Sequence, residues 1–306
     1  MQHWKKLGLV FQPDSRLYWQ RSHAALPTHL HLHDDIFRIY FTSRDEHNCT
    51  YTGWFEIDIT QPHNILRKSE EPVLSPGPLG FFDDHGVQTT SIVKHGDRLY
   101  LYYLGWNPGL TAPLFYTSIG LATSDDGGLT FQKYSPAPVM ERSKHDPWMV
   151  SGGTVRLENG VWRMWYISGQ KFELTATGAK SYYDIRYAES ADGINWKREG
   201  YICLPLRENE TNISRPAIIL ENGVYKSWFP VKKEGSGYRI GYAESPDGLN
   251  WKRLDELAGI TVSAEGWDSE ALDKVDIILH KGKKYMLYNG NRFGFDGIGM
   301  AVEEAR

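Results

Sequence analysis

Short stretches in which aromatic and aliphatic positions alternate with polar ones recur along the whole chain, each behind a polar turn. They read HDDIFRIYFTSRD (33–45), HGDRLYLYYLGWN (95–107), ENGVWRMWYISGQ (158–170), ENGVYKSWFPVKK (221–233) and KGKKYMLYNGNRF (281–293). A period of two places one set of side chains on the buried face of a sheet, so each stretch predicts a strand behind a hairpin turn. Asn-Gly at 159–160 and 222–223 is the pair a two-residue hairpin turn favours, because both positions require positive φ. The first aromatic of each stretch falls at Phe37, Tyr100, Trp162, Tyr225 and Tyr285, with spacings of 63, 62, 63 and 60. A further strand follows each of the last four: IGLATS (119–124), IRYAES (185–190), IGYAES (240–245) and IGMAVE (298–303). After a turn, an outermost strand opens on Phe131, Trp196 or Trp251, but the fifth repeat stops one strand short. WKKLGLVF (4–11) reads like WKREGYIC (196–203) and supplies the missing strand.

The pattern predicts an all-β fold: a five-bladed β-propeller of four antiparallel strands per blade, the N-terminal strand closing the last blade. A repeat that cannot bury both faces alone must stack on its neighbours, and closure removes the open sheet edge. The repeats consume the chain, so residues 1–306 read as one domain. The near-duplicates YAESADGINWKRE (187–199) and YAESPDGLNWKRL (242–254), with SDDGGLTF (124–131), read as structural turns built by Asp and Gly, with Trp or Phe filling between blades.

Composition agrees: 11 Trp, 18 Tyr, 12 Phe and 30 Gly suit short strands joined by tight turns. A net charge of −4 leaves no basic excess for nucleic acid or an anionic membrane. No run of eighteen apolar residues predicts a spanning helix, and the apolar stretch after Lys5 and Lys6 is too short for a signal-peptide core, so a cytoplasmic location is expected. Cys49 and Cys203 form neither a disulfide framework nor a metal spacing, and no cofactor is expected. Nothing periodic on a propeller surface reports the oligomeric state.

The first strand of each propeller blade lines the central channel. The candidate segments are SHAALPTHL (22–30), DDHGVQTTSIV (83–93), HDPWMVSGGTV (145–155), NISRPAIIL (212–220) and WDSEALDKVDIIL (267–279). Counting back from the aromatic markers puts Asp84 and Asp146 16 before theirs, Glu270 15, His23 14 and Arg215 10. Carboxyls crowded at a narrow mouth repel one another and can keep one protonated, as acid-catalysed cleavage of a glycosidic bond requires. Asp84, Asp146 and Glu270 are therefore the candidate catalytic acids. His23, His85, His145, Arg215, Trp106, Trp148 and Asp268 are candidate substrate contacts. Each has a structural alternative: Asp146 before Pro147 can cap a turn, Arg215 can simply neutralise the acids, and either Trp can fill between blades. The histidines can bind sugar hydroxyls or phosphate, or hold a metal with the acids.

The HDPWMVSGGTVRLENGVWRMWYISG segment (145–169) resembles the Asp-Pro blade motif of the five-bladed propeller superfamily of glycoside hydrolases. That superfamily includes the arabinanase and xylosidase group, the invertase and levansucrase group and the mannoside phosphorylases, and the resemblance spans essentially the whole chain. FDDHGVQTTSIVKHGDRLYLYYLGW (82–106) and GWDSEALDKVDIILHKGKKYMLYNGNRFG (266–294) also look like a bacterial subgroup associated with surface-polysaccharide gene sets. It is similar to the propeller part of plant glycosylinositol-lipid glucosamine transferases. The resemblance implies Asp146 as the orienting acid with Asp84 and Glu270 as the other carboxylates, and the working assignment makes Glu270 the general acid and Asp84 the base. The place of the first-blade acid reads RSHAALP (21–27), with His23 instead, so either Asp84 replaces it or the reaction is not ordinary hydrolysis. The Asp-box turns of sialidases match SDDGGLTF, but only Arg215 of the arginines is well placed, and that reading is rejected. The expectation is an intracellular enzyme cleaving or transferring a glycosidic bond of a small glycan, with phosphate as co-substrate if Arg215 and the histidines hold it. The rivals are a non-catalytic glycan-binding propeller and a metal-dependent enzyme using the histidines.

Overall fold

The computed structural model describes residues 2–111, 114–176 and 178–304. The alternating stretches all become antiparallel strands, and among the described residues there is no α-helix. After β1 (Trp4–Phe11), the first unit holds β2 (Ser22–His33), β3 (Ile36–Arg44), β4 (Thr50–Asp58) and β5 (Ile65–Lys68). The second holds β6 (Val87–His95), β7 (Arg98–Pro108), β8 (Phe115–Ser124) and β9 (Gln132–Lys133). The third holds β10 (Val150–Glu158), β11 (Val161–Thr175), β12 (Gly178–Ser190) and β13 (Lys197–Leu204). In the fourth, β14 (Glu210–Ile213) and β15 (Ala217–Glu221) together form the inner strand beside β16 (Val224–Lys233), β17 (Tyr238–Ser245) and β18 (Lys252–Arg253). The last holds β19 (Asp273–His280), β20 (Lys283–Asn289) and β21 (Ile298–Glu303), with β1 paired to β21 as its outermost strand.

This is a β-propeller, and its terminal strand closes it as expected. At the seam Phe11 of β1 stacks on Phe55 at 4.1 Å and meets Phe41 at 4.7 Å. The inner strands form a ring: β2 touches β6 and β19, β6 touches β10, and β15 touches β19. Thr154 and Arg156 of β10 reach the Pro216 and Ile218 carbonyls and join the third unit to the fourth. Asn159, Gly160, Asn222 and Gly223 all have positive φ, as the Asn-Gly hairpins require.

The duplicated segments are interlocking turns. Asp192 Oδ1 accepts the Ile194 and Asn195 amides at 2.9 and 2.8 Å, and Asp247 Oδ1 accepts the Leu249 and Asn250 amides at 2.8 Å each. Each turn presents a glycine carbonyl to the preceding unit. Tyr40 Oη donates to Gly128 O at 2.8 Å, Tyr102 Oη to Gly193 O at 2.7 Å, and Trp165 Nε1 to Gly248 O at 2.6 Å. A residue whose carbonyl docks this closely under a ring has no room for Cβ: one added at Gly193 would lie 2.7 Å from Tyr102 Oη.

The strand register corrects the aromatic markers used to align the repeats. Turn-closing pairs are His95↔Arg98, Glu158↔Val161 and His280↔Lys283, which set Leu99, Trp162 and Lys284 level with one another. Tyr100 and Tyr285 therefore stand one residue later than Trp162, on the opposite face of their strands. The segments aligned through them slip by as much.

Candidate functional site at the channel mouth

Arg215 closes the channel. It is 4% exposed, and its guanidinium donates to Pro27 O at 2.8 Å, Thr28 Oγ1 and Val275 O at 3.1 Å each, and Thr90 O. One side chain of the fourth unit thus ties the first, second and fifth together across the axis. Burial lowers its pKa, opposed by the charges of Asp276 and Asp273. Arg215 had been expected to bind substrate; with its Nη hydrogens on protein oxygens, it is instead the floor of a dead-ended mouth.

Just above that floor, Ala25, Gln88, Ser151, Ser214 and Asp273 stand level on the five inner strands, opposite Thr42, Leu104, Ile167, Pro230 and Asn289. Asp273 is the ionisable member of that ring and is 1% exposed. Its Oδ1 accepts the Lys274 amide at 2.8 Å, while the buried Oδ2 has no hydrogen-bond partner and lies 3.4 Å from the Lys274 ammonium. Lys274 Nζ donates to Ser214 Oγ at 3.1 Å and packs against the Tyr238 ring. The Tyr183 and Tyr238 hydroxyls share a hydrogen bond, next to the Tyr183↔Asn212 bridge between β12 and β14. Burial raises both phenol pKa values, and the Asp273 charge adds to it. Close by in β12, Asp184 is buried, accepts from Gln170 Nε2 at 2.6 Å and Arg186 Nε at 3.2 Å, and burial raises its pKa.

Backbone strain collects at the same end of the propeller. His23, Leu26, Lys274, Arg292 and Phe293 all have positive φ, between 50° and 61°. For side-chain-bearing residues outside hairpin turns this costs on the order of 1 kcal/mol each, and such strain persists where the surroundings over-determine it.

The expected acids do not meet. Asp83, Asp146 and Asp268 are the equivalent residues, each twelve before the turn-side end of its inner strand (His95, Glu158, His280), and each accepts from the tyrosine at one strand position. Those bonds are Tyr103 to Asp83 at 3.1 Å, Tyr166 to Asp146 at 3.0 Å and Tyr288 to Asp268 at 3.1 Å. Each carboxylate also holds a cation from an outermost strand: Lys133 at 2.7 Å, Arg198 at 2.9 Å and Lys6 at 2.6 Å. Asp14 with Lys68 (2.8 Å) and Glu210 with Arg253 (2.7 Å) complete the series. Asp146 and Asp268 therefore sit in a setting other than the one expected, as members of a structural ion pair repeated in every unit. Asp146 has 0% exposure and further hydrogen bonds from Ser168 and Ser143 at 2.7 and 3.0 Å.

Asp84, aligned with Asp146 by the slipped register, points elsewhere and accepts from Asn107 Nδ2 and the Gly80 amide. Glu270 is exposed; its amide and carbonyl are bound by Asn291 and Arg239, and its carboxylate has no partner among the described residues. Asp84, Asp146 and Glu270 thus share no partner: Asn107 and Gly80 serve the first, Tyr166 and Arg198 the second, and Asn291 meets only the backbone of the third. The histidines are also separate. His23 bonds Ser22 Oγ at 2.9 Å; burial, with Arg44 and Arg292 nearby, holds its pKa down at about 4. His85 stands edge-on to Trp106 at 4.4 Å, with Cys49 Sγ 3.8 Å from Nδ1, and His145 packs against Gly200. Among the described residues no three His, Cys, Asp or Glu side chains gather as a metal site. Trp106 is half-buried and donates to Thr50 Oγ1 at 2.8 Å. Trp148 is 43% exposed and lines a cleft of about 240 Å³ with Tyr116, Arg142 and Asn107, the residue that also holds Asp84.

Asp273 lay inside a segment already considered but was passed over for Glu270. Counted from the hairpin turns it is level with Gln88, Ser151 and Ser214, each seven before the turn-side end of its inner strand.

The architecture is that of the propeller glycoside hydrolases. A solved glycoside hydrolase superposes with a TM-score of 0.77 at 18% identity, over 98% of this chain and 92% of that one. A structure from the GH130 family of mannoside phosphorylases gives 0.72 at 15% identity, over 96% and 90%. The Bombyx mori GH32 beta-fructofuranosidase BmSUC1 gives 0.63 at 16%, over 94% of this chain and 62% of that one. At these identities the likeness is one of fold. No family model matches the chain. Two proteins of Mycobacterium tuberculosis, the uncharacterized proteins Rv1502 (strain H37Rv) and MT1551 (strain CDC 1551), are each 39% identical over 302 residues, 98% of this chain and 99% of theirs. The chain belongs to their family. Among the described residues no helix is long and apolar enough to cross a membrane.

Proposed function

We propose that this protein is a sugar-active enzyme that cleaves or transfers a glycosidic bond of a small glycan at the channel mouth. The observation that carries the reading is Asp273: a buried acid in the ring of inner-strand residues above Arg215, with one oxygen lacking a hydrogen-bond partner. An acid in that position can give a proton to a leaving-group oxygen or accept one from an attacking hydroxyl. Lys274 Nζ lies 3.4 Å from its free oxygen, and the Tyr183–Tyr238 pair supplies hydroxyls for sugar contacts. Asp84 and Glu270 remain outer candidates for the second carboxylate, while Trp148 and Tyr116 offer ring faces beside the mouth. Hydrolysis, phosphorolysis and transfer all fit this arrangement. The resemblance to surface-polysaccharide proteins and to the propeller part of plant glycosylinositol-lipid glucosamine transferases supports a glycan intermediate as substrate.

The test is mass-spectrometric turnover of aryl glycosides and short oligosaccharides, with and without phosphate. Asp273→Asn should lose on the order of 10²–10⁴-fold in rate, the range of general acid–base catalysis, with no fall in Tm. Full activity in Asp273→Asn would refute the assignment, and loss in Glu270→Gln alone would return the role to Glu270. A non-catalytic glycan-binding propeller is the second reading, favoured by His23 in place of a first-unit acid. Binding without turnover, unchanged in Asp273→Asn, would establish it.

A further inference from the structure

Arg44 ends β3 at the channel mouth, opposite Ser22 in the β2–β3 register. Partly buried arginines elsewhere in the chain hold a carboxylate: Arg38 holds Glu56 at 2.7 Å, Arg186 holds Asp184 at 3.2 Å, and Arg253 holds Glu210 at 2.7 Å. Arg44 has only a neutral partner, Asn48 Oδ1, and no carboxylate within ion-pair distance among the described residues. Asp45, next in the chain, is occupied by the His47 and Cys49 amides at 2.9 and 2.8 Å and the Tyr51 hydroxyl at 3.3 Å. Burial works against the charge of Arg44, and nothing in the fold compensates.

The neighbours extend the same character. The charges of Arg44 and Arg292 both reach His23, whose backbone is left-handed (φ 61°) and whose Nδ1 pairs with Ser22 Oγ. Arg292 lies over the Phe295 ring at 4.0 Å, and that ring stands edge-on to His23 at 5.4 Å. Of the two guanidiniums only Arg292 has an acid, Asp296 at 3.0 Å. The corner between the first and last units therefore carries one uncompensated guanidinium, an imidazole and a hydroxyl, in a chain of net charge −4.

A planar fork of N–H donors with a hydroxyl beside it matches an oxyanion rather than a neutral sugar hydroxyl. We infer that the corner formed by Arg44, His23 and Ser22, with Arg292 beside it, is a subsite for an anionic substituent of the substrate, a carboxylate or a phosphate monoester borne on a sugar. The inference rests on the glycan reading above and narrows it to acidic or phosphorylated glycans. A sugar reaching from this corner to Asp273 would lie across the floor made by Arg215.

The test is calorimetric titration of the full-length protein with glucose, glucuronate, glucose 6-phosphate and inorganic phosphate at fixed ionic strength. The subsite predicts that glucuronate or glucose 6-phosphate binds at least about tenfold more tightly than glucose, a difference near 1.4 kcal/mol. Arg44→Gln should erase that preference, and Arg44→Lys should retain part of it. Inorganic phosphate should compete with glucose 6-phosphate, and tighter binding of the sugar phosphate than of free phosphate assigns the site to a substituent rather than to a free co-substrate. Phosphate binding lost in Arg44→Gln supports the subsite even where no glycan is turned over, so the two readings fail separately. Equal affinity for charged and neutral sugars, or anion binding unchanged in Arg44→Gln while its Tm matches wild type, overturns the inference.

Discussion

Replacing Arg198 by Leu tests whether Asp146 is held for structure or for chemistry. Arg198 Nη1 gives Asp146 Oδ2 its charge-assisted bond at 2.9 Å, and the Asp146 side chain has no solvent to turn to. Truncating one member of a buried pair costs about 3–5 kcal/mol, because the surviving charge is left desolvated. Two features move the value to the low end. The Arg198 side chain keeps 15% exposure, and Arg186 lies 3.8 Å from the other carboxylate oxygen and takes over part of the compensation. A loss of roughly 3 kcal/mol follows, or a Tm about 6 °C lower at the ~2 °C per kcal/mol expected for a chain of this size. Asp146→Asn combined with Arg198→Leu removes both charges while the Ser168, Ser143 and Tyr166 bonds can persist. The double variant should recover at least about 1.5 kcal/mol of what the two single changes cost together. Chemical denaturation of the four proteins closes the cycle. Stability within about 0.5 kcal/mol of wild type for Arg198→Leu would refute the reasoning, and loss of turnover with intact stability would return Asp146 to the catalytic group.

Two smaller predictions follow from the geometry between units and at the mouth. Tyr102→Phe removes the hydroxyl that docks on Gly193 O at 2.7 Å and should cost on the order of 1–2 kcal/mol by denaturation, with no change at the channel mouth. His23 has its folded pKa lowered from 6.5 to about 4, so the unfolded chain binds that proton more readily. The stability this contributes is present above pH 6.5 and is lost as pH falls towards 4. In His23→Gln the decline in Tm over that window should be measurably shallower, and an unchanged slope would show that another group carries it.

The sheet architecture was legible because it rests on local, repeated chemistry. The alternating aromatics, the Asn-Gly turns and the Ser-x-Asp-Gly turns each specify their own few residues, and all formed as expected. The likeness of WKKLGLVF to WKREGYIC announced the closing strand, since each carries at its third position a cation that meets the buried acid of its unit. That cation, two residues after an aromatic in Trp4-Lys5-Lys6, Phe131-Gln132-Lys133, Trp196-Lys197-Arg198 and Trp251-Lys252-Arg253, was also in plain view. Its acid partner lies 43 to 52 residues away for Lys133, Arg198 and Arg253 and 262 away for Lys6, and no local rule connects them.

The candidate site was legible only in part. The segments that reach the channel were identified, but the side chains within them were displaced: Asp84 stands one residue past the equivalent of Asp146, where a one-residue slip reverses the face of a strand, and Glu270 stands two past it. Aromatic markers gave Asp84 and Glu270; hairpin pairing gives Asp83 and Asp268 as the equivalents of Asp146, and sets Asp273 level with Gln88 and Ser151 on the inner strands. By itself the sequence determined the repeat, the all-β class and the manner of closure, since each follows from side chains a few residues apart. Only the tertiary structure decided which charges are spent. Whether a carboxylate or guanidinium is neutralised depends on residues brought from other units, as Arg215 is by Pro27, Thr28, Thr90 and Val275 and Asp146 is by Arg198. That Asp273 keeps an oxygen without a hydrogen bond, and Arg44 only a neutral partner among the described residues, is visible only once every other partner has been placed.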